Sequence, residues 1–141
     1  MAADLAEAAI ALAIASEADL IRVRQVLRQE AVRAGLGLVD QTKLVTAGSE
    51  LARNILTYAT GSRGRLRVEQ VAAAGGRRGV RATFADDGPG IEDLEAALTD
   101  GFSTGGSLGL GLPGSRRLVD QMELTSSPGS GTRVVIVKWK R

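Results

Sequence analysis

Residues 65–90 read RLRVEQVAAAGGRRGVRATFADDGPG, and the first half of the fold follows from how this stretch alternates. RLRVEQVAA alternates apolar and polar residues, GGRRG supplies a turn, and VRATFADD alternates again, which is the pattern of an antiparallel hairpin. Asp86 therefore falls at the carboxyl end of a strand. The DDGPG that follows has two readings. It is a turn, since Asp, Gly and Pro are the usual turn formers. Alternatively, its glycines let the backbone approach a flat ligand while an acidic side chain accepts that ligand's amino group.

Toward the amino terminus, residues 9–15 read as a first strand. Ser16, with Asp19 three residues on, resembles a capping arrangement that starts a helix. Leu20, Val23, Leu27 and Val32 recur at helical spacing until Gly35 ends the run. After the turn GLGLVD, Asp40 can cap a second helix whose buried side carries Leu44, Leu51, Ile55 and Tyr58. Toward the carboxyl terminus, IEDLEAALTD reads as a short acidic helix, FSTGGSLG as a loop and LGLPGSRRLVDQM as a helix, with Pro113 in its first turn. The strands MELTSS and GTRVVIVKWK, joined by PGSG, complete the chain. This order predicts one α/β domain over residues 1–141, a two-layer sandwich of a mixed, largely antiparallel sheet with helices on one face.

Composition removes whole classes of chemistry. The chain has no cysteine and no histidine, which excludes disulfides, thiol catalysis, imidazole acid-base catalysis and zinc sites built on those ligands. Eighteen basic against sixteen acidic residues leave a formal charge of +2, too little to imply nucleic acid. The apolar run from Ala8 to Ala15 has acidic flanks, lacks the basic start of a signal peptide and is far shorter than a membrane span. A cytoplasmic protein is expected. Carboxylates, amides and hydroxyls must carry any chemistry.

Glu50 and Asn54 lie four apart in the second helix, on one face about a turn from each other. Taken alone they are solvated polar residues. Beside Leu51 and Ile55 they fall at the border of the core, where a carboxylate could accept a proton and an amide oxygen could bind magnesium. The clump GGSLGLGLPG runs into a helix amino terminus, where free N–H groups and the helix dipole favour an anion such as phosphate. It is neither a Walker A sequence nor the strand-GxGxxG-helix of a dinucleotide fold.

In order along the chain, ExxxN on a helix, DxGxG at a strand end, a Ser/Thr/Gly segment entering GLGLGL, and GSGT before the final strand resemble the N, G1, G2 and G3 boxes of the GHKL ATPase superfamily. ELARNI, DDGPGI, DGFSTGGSLGLGLPGSRRLVD and SGT are most similar to its small serine/threonine switch kinases of the RsbT type, relatives of the anti-sigma-factor kinases. The resemblance covers nearly the whole chain and implies the Bergerat-type ATP-binding fold. It implies that Asp86 accepts a hydrogen bond from the adenine amino group of ATP, with Gly88 and Gly90 shaping the pocket wall, while Asp87 has no such role. Asn54 corresponds to the magnesium ligand, Glu50 to the general base, and Thr132 to a threonine near the adenine. Gly109 and Gly111 match glycines that face the phosphates, with Leu110 and Leu112 anchoring that segment. Ser103, Thr104, Gly105 and Gly106 match a lid. Arg53 could place a cation near the phosphates, and Tyr58 stands where many histidine kinases have a basic residue.

Three functions fit that resemblance. The first is a kinase moving the ATP γ-phosphate to a Ser or Thr of a STAS-domain partner in a stressosome pathway, then activating a PP2C-type phosphatase once released. The second is an anti-sigma module that sequesters a sigma factor. The third is the ATPase domain of a histidine kinase. DGFSTG and GLGLPGSRRLVD favour the first, and the third requires a phosphohistidine on another chain. Arg63, Arg65 and Arg67 on one strand, with Arg77, Arg78 and Arg81 near its hairpin partner, read as a solvated sheet face, with a docking surface for an acidic partner as the alternative.

Overall fold

In the computed structural model, which describes residues 9–58, 64–88, 111–126, 129 and 131–141, the described residues form nine elements. These are β1 (Ile10–Ile14), α1 (Glu17–Arg33), α2 (Leu38–Tyr58), β2 (Gly64–Ala72), a 3-10 turn (Ala74–Gly76), β3 (Arg78–Asp86), α3 (Gly111–Leu118), β4 (Gln121–Ser126) and β5 (Thr132–Trp139). The expected hairpin is β2 and β3, with Leu66 opposite Phe84 and Val68 opposite Ala82. Those four side chains are buried, whereas Arg65, Arg67 and Arg81 between them point to the other face and are exposed. The alternation in the sequence is thus the two faces of the sheet.

The strands form one sheet in the order β1-β2-β3-β5-β4. The two-layer α/β architecture is as expected, and every neighbouring pair among the described strands is antiparallel. The helices cover one face. Leu27 of α1, Leu44 of α2 and Phe84 of β3 lie within a single core cluster. Each fully buried side chain of this kind contributes about 1.5–3 kcal/mol.

Local sequence explains the helix ends. The Asp19 carboxylate accepts the N–H groups of Ala15 (2.8 Å) and Ser16 (3.1 Å), which fixes the entry into α1. The Ala15 hydrogen bond, followed by the Arg22 guanidinium, holds the Asp19 carboxyl below its usual value. Leu36 N–H returns to the Ala31 carbonyl and Gly35 N–H to that of Val32, closing α1 at Gly35 as expected.

Two expectations need correction. Val32 is 58% exposed, because the buried stripe passes from Leu27 to Ala31 and Ala34; Val32, five residues after Leu27, is rotated off it. Asp40 does not cap α2, which begins two residues earlier at Leu38. Instead, Asp40 and Asp120 flank the ammonium of Lys138 at 3.5 and 3.7 Å, and Arg141 reaches both carboxylates. The Asp120 carboxylate also accepts the Trp139 N–H (2.7 Å), and its own N–H donates to the Val137 carbonyl. These bonds also turn the chain out of α3 earlier than the helical reading allowed, so Gln121 opens β4 just ahead of Met122, where the strand was expected to begin.

Candidate functional site

One row of residues crosses all five strands where β3 ends: Ile14, Gly64, Asp86, Thr132 and Ser126, each the register partner of the next. Asp86 is half-buried in its centre. One oxygen of its carboxylate accepts the N–H of the buried Gly88 at 2.8 Å, which pins the side chain against the first turn of the loop. Among the described residues, nothing else donates to that carboxylate. A second oxygen is thereby left to accept from a ligand.

Beside Asp86, the Ser126 hydroxyl donates to the Gly131 carbonyl at 2.9 Å and lies 3.0 Å from the Thr132 hydroxyl. With the single Ser126 proton used in this way, Thr132 is the donor between the two, and its oxygen keeps lone pairs for a ligand. Gly131 makes the arrangement possible. Its φ of +83° is one that side-chain-bearing residues rarely adopt, and a Cβ there would run into the Asp86 carbonyl oxygen.

The second helix meets this row through Ile55. A Cβ on Gly64 would collide with the Ile55 side chain and come within 2.8 Å of the Ile14 carbonyl oxygen, so the bare strand lets α2 approach the end of the sheet. Asn54, next to Ile55, and Glu50, one turn earlier, are both half-buried beside the buried Leu51 and Ile55. Neither is tied up by a hydrogen bond from another described residue. The carboxylate is free to take a proton, and the amide oxygen is free to bind a hard cation. Helix α3 packs on α2, with the Ser115 hydroxyl, fully buried, donating to the Ala47 carbonyl at 3.4 Å. This contact seats the start of α3, with Gly111 and the half-buried Leu112, alongside the middle of α2.

The structure therefore joins Asp86, Gly88 and Thr132 at one end of the sheet, which α2, carrying Glu50 and Asn54, reaches through Ile55, while Gly111 and Leu112 open the helix packed on α2. Gly90, Ser103, Thr104, Gly105, Gly106, Gly109 and Leu110 lie outside the described residues, as do the acidic helix expected over 91–100 and the Tyr58 side chain. Asp87 points away, exposed and 3.4 Å from Arg65. Arg53 is exposed and paired with Glu17 of α1 at 3.3 Å. Sequence reasoning missed Gly64 and Ser126. A glycine opening a strand and a serine closing one at the same end of the sheet were the available signals.

Comparison with known proteins bears on the family and the fold. Residues 39–141 match the family described as histidine kinase-, DNA gyrase B-, and HSP90-like ATPase. The chain is 46% identical over 128 residues to the serine/threonine-protein kinase RsbT of Bacillus subtilis, covering 91% of this chain and 94% of that one. Among solved structures it resembles the RsbU and RsbW domains of Rv1364c from Mycobacterium tuberculosis, with a TM-score of 0.61 and 20% identity over 94% of this chain. The chain spans 33% of that structure. It also resembles the histidine kinase domain of the blue-light-activated histidine kinase from Erythrobacter litoralis, with a TM-score of 0.50 and 22% identity over 86% of this chain and 59% of that one. These two likenesses concern the fold. The chain belongs to the histidine kinase-, DNA gyrase B- and HSP90-like ATPase family, within its serine/threonine-protein kinases.

Proposed function

We propose that the chain transfers the γ-phosphate of ATP to a serine or threonine of a STAS-domain partner, as a switch kinase of a stress-response pathway, and that on release it activates a PP2C-type phosphatase. The observation that carries the nucleotide part is the row Asp86–Thr132–Ser126, with one Asp86 oxygen engaged by Gly88 and one open toward an adenine amino group. The likeness to RsbT over most of the chain supports the choice of acceptor.

Asn54 suits magnesium. Among the described residues no group of three His, Cys, Asp or Glu side chains could cage a metal, and magnesium typically keeps several waters and is held by one or two protein groups plus substrate phosphates. When bound, it would neutralise charge on the triphosphate. Glu50 would take the proton from the acceptor hydroxyl, whose oxygen attacks the γ-phosphorus as the bond to the β-phosphate oxygen breaks and ADP leaves. Hydroxyl phosphorylation needs no histidine, which this chain lacks. No helix among the described residues is long and apolar enough to cross a membrane, and we propose a cytoplasmic setting.

The test is transfer of label from γ-labelled ATP to a STAS-domain protein by the wild type and by Glu50→Ala. The substitution is expected to lower transfer by roughly 10²–10⁴, as loss of a general base does, while ATP affinity measured by calorimetry stays nearly constant. Wild-type transfer rates in the variant would remove Glu50 from the chemistry. Tight binding of a sigma factor without labelling of any STAS protein would favour the sequestration reading instead.

A further inference from the structure

The row of residues that closes β3 has two unlike sides. Toward β2, Asp86 faces Gly64, where Ile55 fills the space a side chain would need, so that side presents no polar group of a side chain. Toward β5, its register partner is Thr132, and beyond Thr132 stands Ser126 on β4. All three side chains point to the helix side of the sheet. Asp86 shares its face of β3 with Phe84 and Ala82, Thr132 its face of β5 with Val134 and Ile136, and Ser126 its face of β4 with Leu124 and Met122, all of them packed in the core. Opposite residues of an antiparallel pair hold their Cβ atoms about 4.5–5.5 Å apart, so one small polar group of a ligand can touch both Asp86 and Thr132.

The Gly131 carbonyl settles which way the protons run along this row. A carbonyl only accepts, so the 2.9 Å bond to it uses the one Ser126 proton, and the 3.0 Å contact between the two hydroxyls is made by the proton of Thr132. Gly131 is itself held in place, buried at a φ of +83° and pressed so close to the Asp86 carbonyl that no Cβ fits between them. Thr132 is left facing the site with lone pairs alone, beside a carboxylate oxygen that also only accepts.

We propose that Ser126 positions Thr132 for nucleotide selection: by drawing the Thr132 proton away from the site, it makes the row two neighbouring acceptors that read both hydrogens of an amino group and reject a carbonyl. The inference rests on the reading above, in which Asp86 meets the amino group of adenine. Hydrogen bonds of about 2.9 Å made by the two hydrogens of one amino group, 120° apart, place their acceptors about 5 Å from each other, which is the spacing of side chains on adjacent strands. A purine carrying a carbonyl at the same position can still give its ring N–H to Asp86, but its carbonyl then meets the lone pairs of Thr132.

Inosine triphosphate is the probe, since it differs from ATP by a carbonyl in place of the amino group and a proton on the adjoining ring nitrogen. Calorimetry with magnesium gives the ratio of its dissociation constant to that of ATP. Loss of folded protein affects both nucleotides alike, so the ratio does not respond to mere structural damage. The wild type is expected to prefer ATP at least about tenfold. In Ser126→Ala the Thr132 hydroxyl is free to turn and donate to the carbonyl, and the preference should fall at least about fivefold. Ser126→Thr keeps a hydroxyl and should keep the preference. Thr132→Val removes the acceptor at nearly constant shape and should lower the preference by itself, and S126A/T132V should lower it no further, because Ser126 acts only through Thr132. A wild type without preference overturns the proposal, as does an unchanged ratio in Ser126→Ala, an equal fall in Ser126→Thr, or a further fall in the double variant. If ATP binding survives Asp86→Ala undiminished, the adenine assignment falls and the proposal with it. If ATP affinity depends on Asp86 while the ratio ignores Ser126, the assignment stands and the role of Ser126 alone is lost.

Discussion

Asp86 divides its two oxygens between two tasks, one holding the Gly88 N–H and the other left for a ligand donor. Removing the side chain frees the Gly88 N–H and, on the proposed reading, leaves the adenine amino group unpaired, so Asp86→Ala is expected to cost about 1–3 kcal/mol of ATP binding free energy. Calorimetry with magnesium checks this, and unchanged affinity would refute the adenine assignment. Guanine presents a carbonyl where adenine has its amino group, and GTP should bind more weakly to the wild type. The place of Asp86 at the end of β3 was legible because strand alternation stops at DDGPG. Its neighbours were not, because Gly64 and Ser126 reach it only through strand register, which joins residues far apart in the chain. Nor could the sequence show that Arg53, next to Asn54, pairs with Glu17 of α1.

At the scale of elements, the hairpin, α1 and α2 could be read from periodicity, because each has one face in the core and one in water. The exceptions are places where polar groups bind each other out of sequence order. Glu30, on the buried stripe of α1, is held by Gln70 of β2 at 3.0 Å, a pairing no hydrophobic pattern announces. The contact between α1 and α2 yields a further prediction. Gly48 lets α2 close on Leu27 and Phe84, and a Cβ there would strike Leu27 Cδ1. Gly48→Val is therefore expected to overpack the interface and destabilise the chain by about 1–3 kcal/mol, measured by denaturant unfolding. The same displacement moves the helix that carries Glu50 and Asn54, so nucleotide affinity should fall with stability.

Across the whole molecule, site and support occupy opposite ends of one strand. Thr132 begins β5 beside Asp86, and Lys138, 2% exposed, lies about 20 Å away between Asp40 and Asp120. Lys138→Ala removes a buried cation from two carboxylates that keep Arg141 as a partner, and is expected to cost about 1–3 kcal/mol of stability. Because the loss falls at the far end, ATP affinity measured well below the unfolding transition should barely change; a large change would show that the two ends are coupled. The position of β5 has a consequence for synthesis. It is the last of the five strands to be made, yet it sits inside the sheet between β3 and β4. On the ribosome, β3 and β4 emerge with a gap between them, and the row from Asp86 to Ser126 is not joined until residues 132–139 have cleared the exit tunnel. A nascent chain can thus form the β2–β3 hairpin early, whereas the sheet closes beside Asp86 only once β5 has been made.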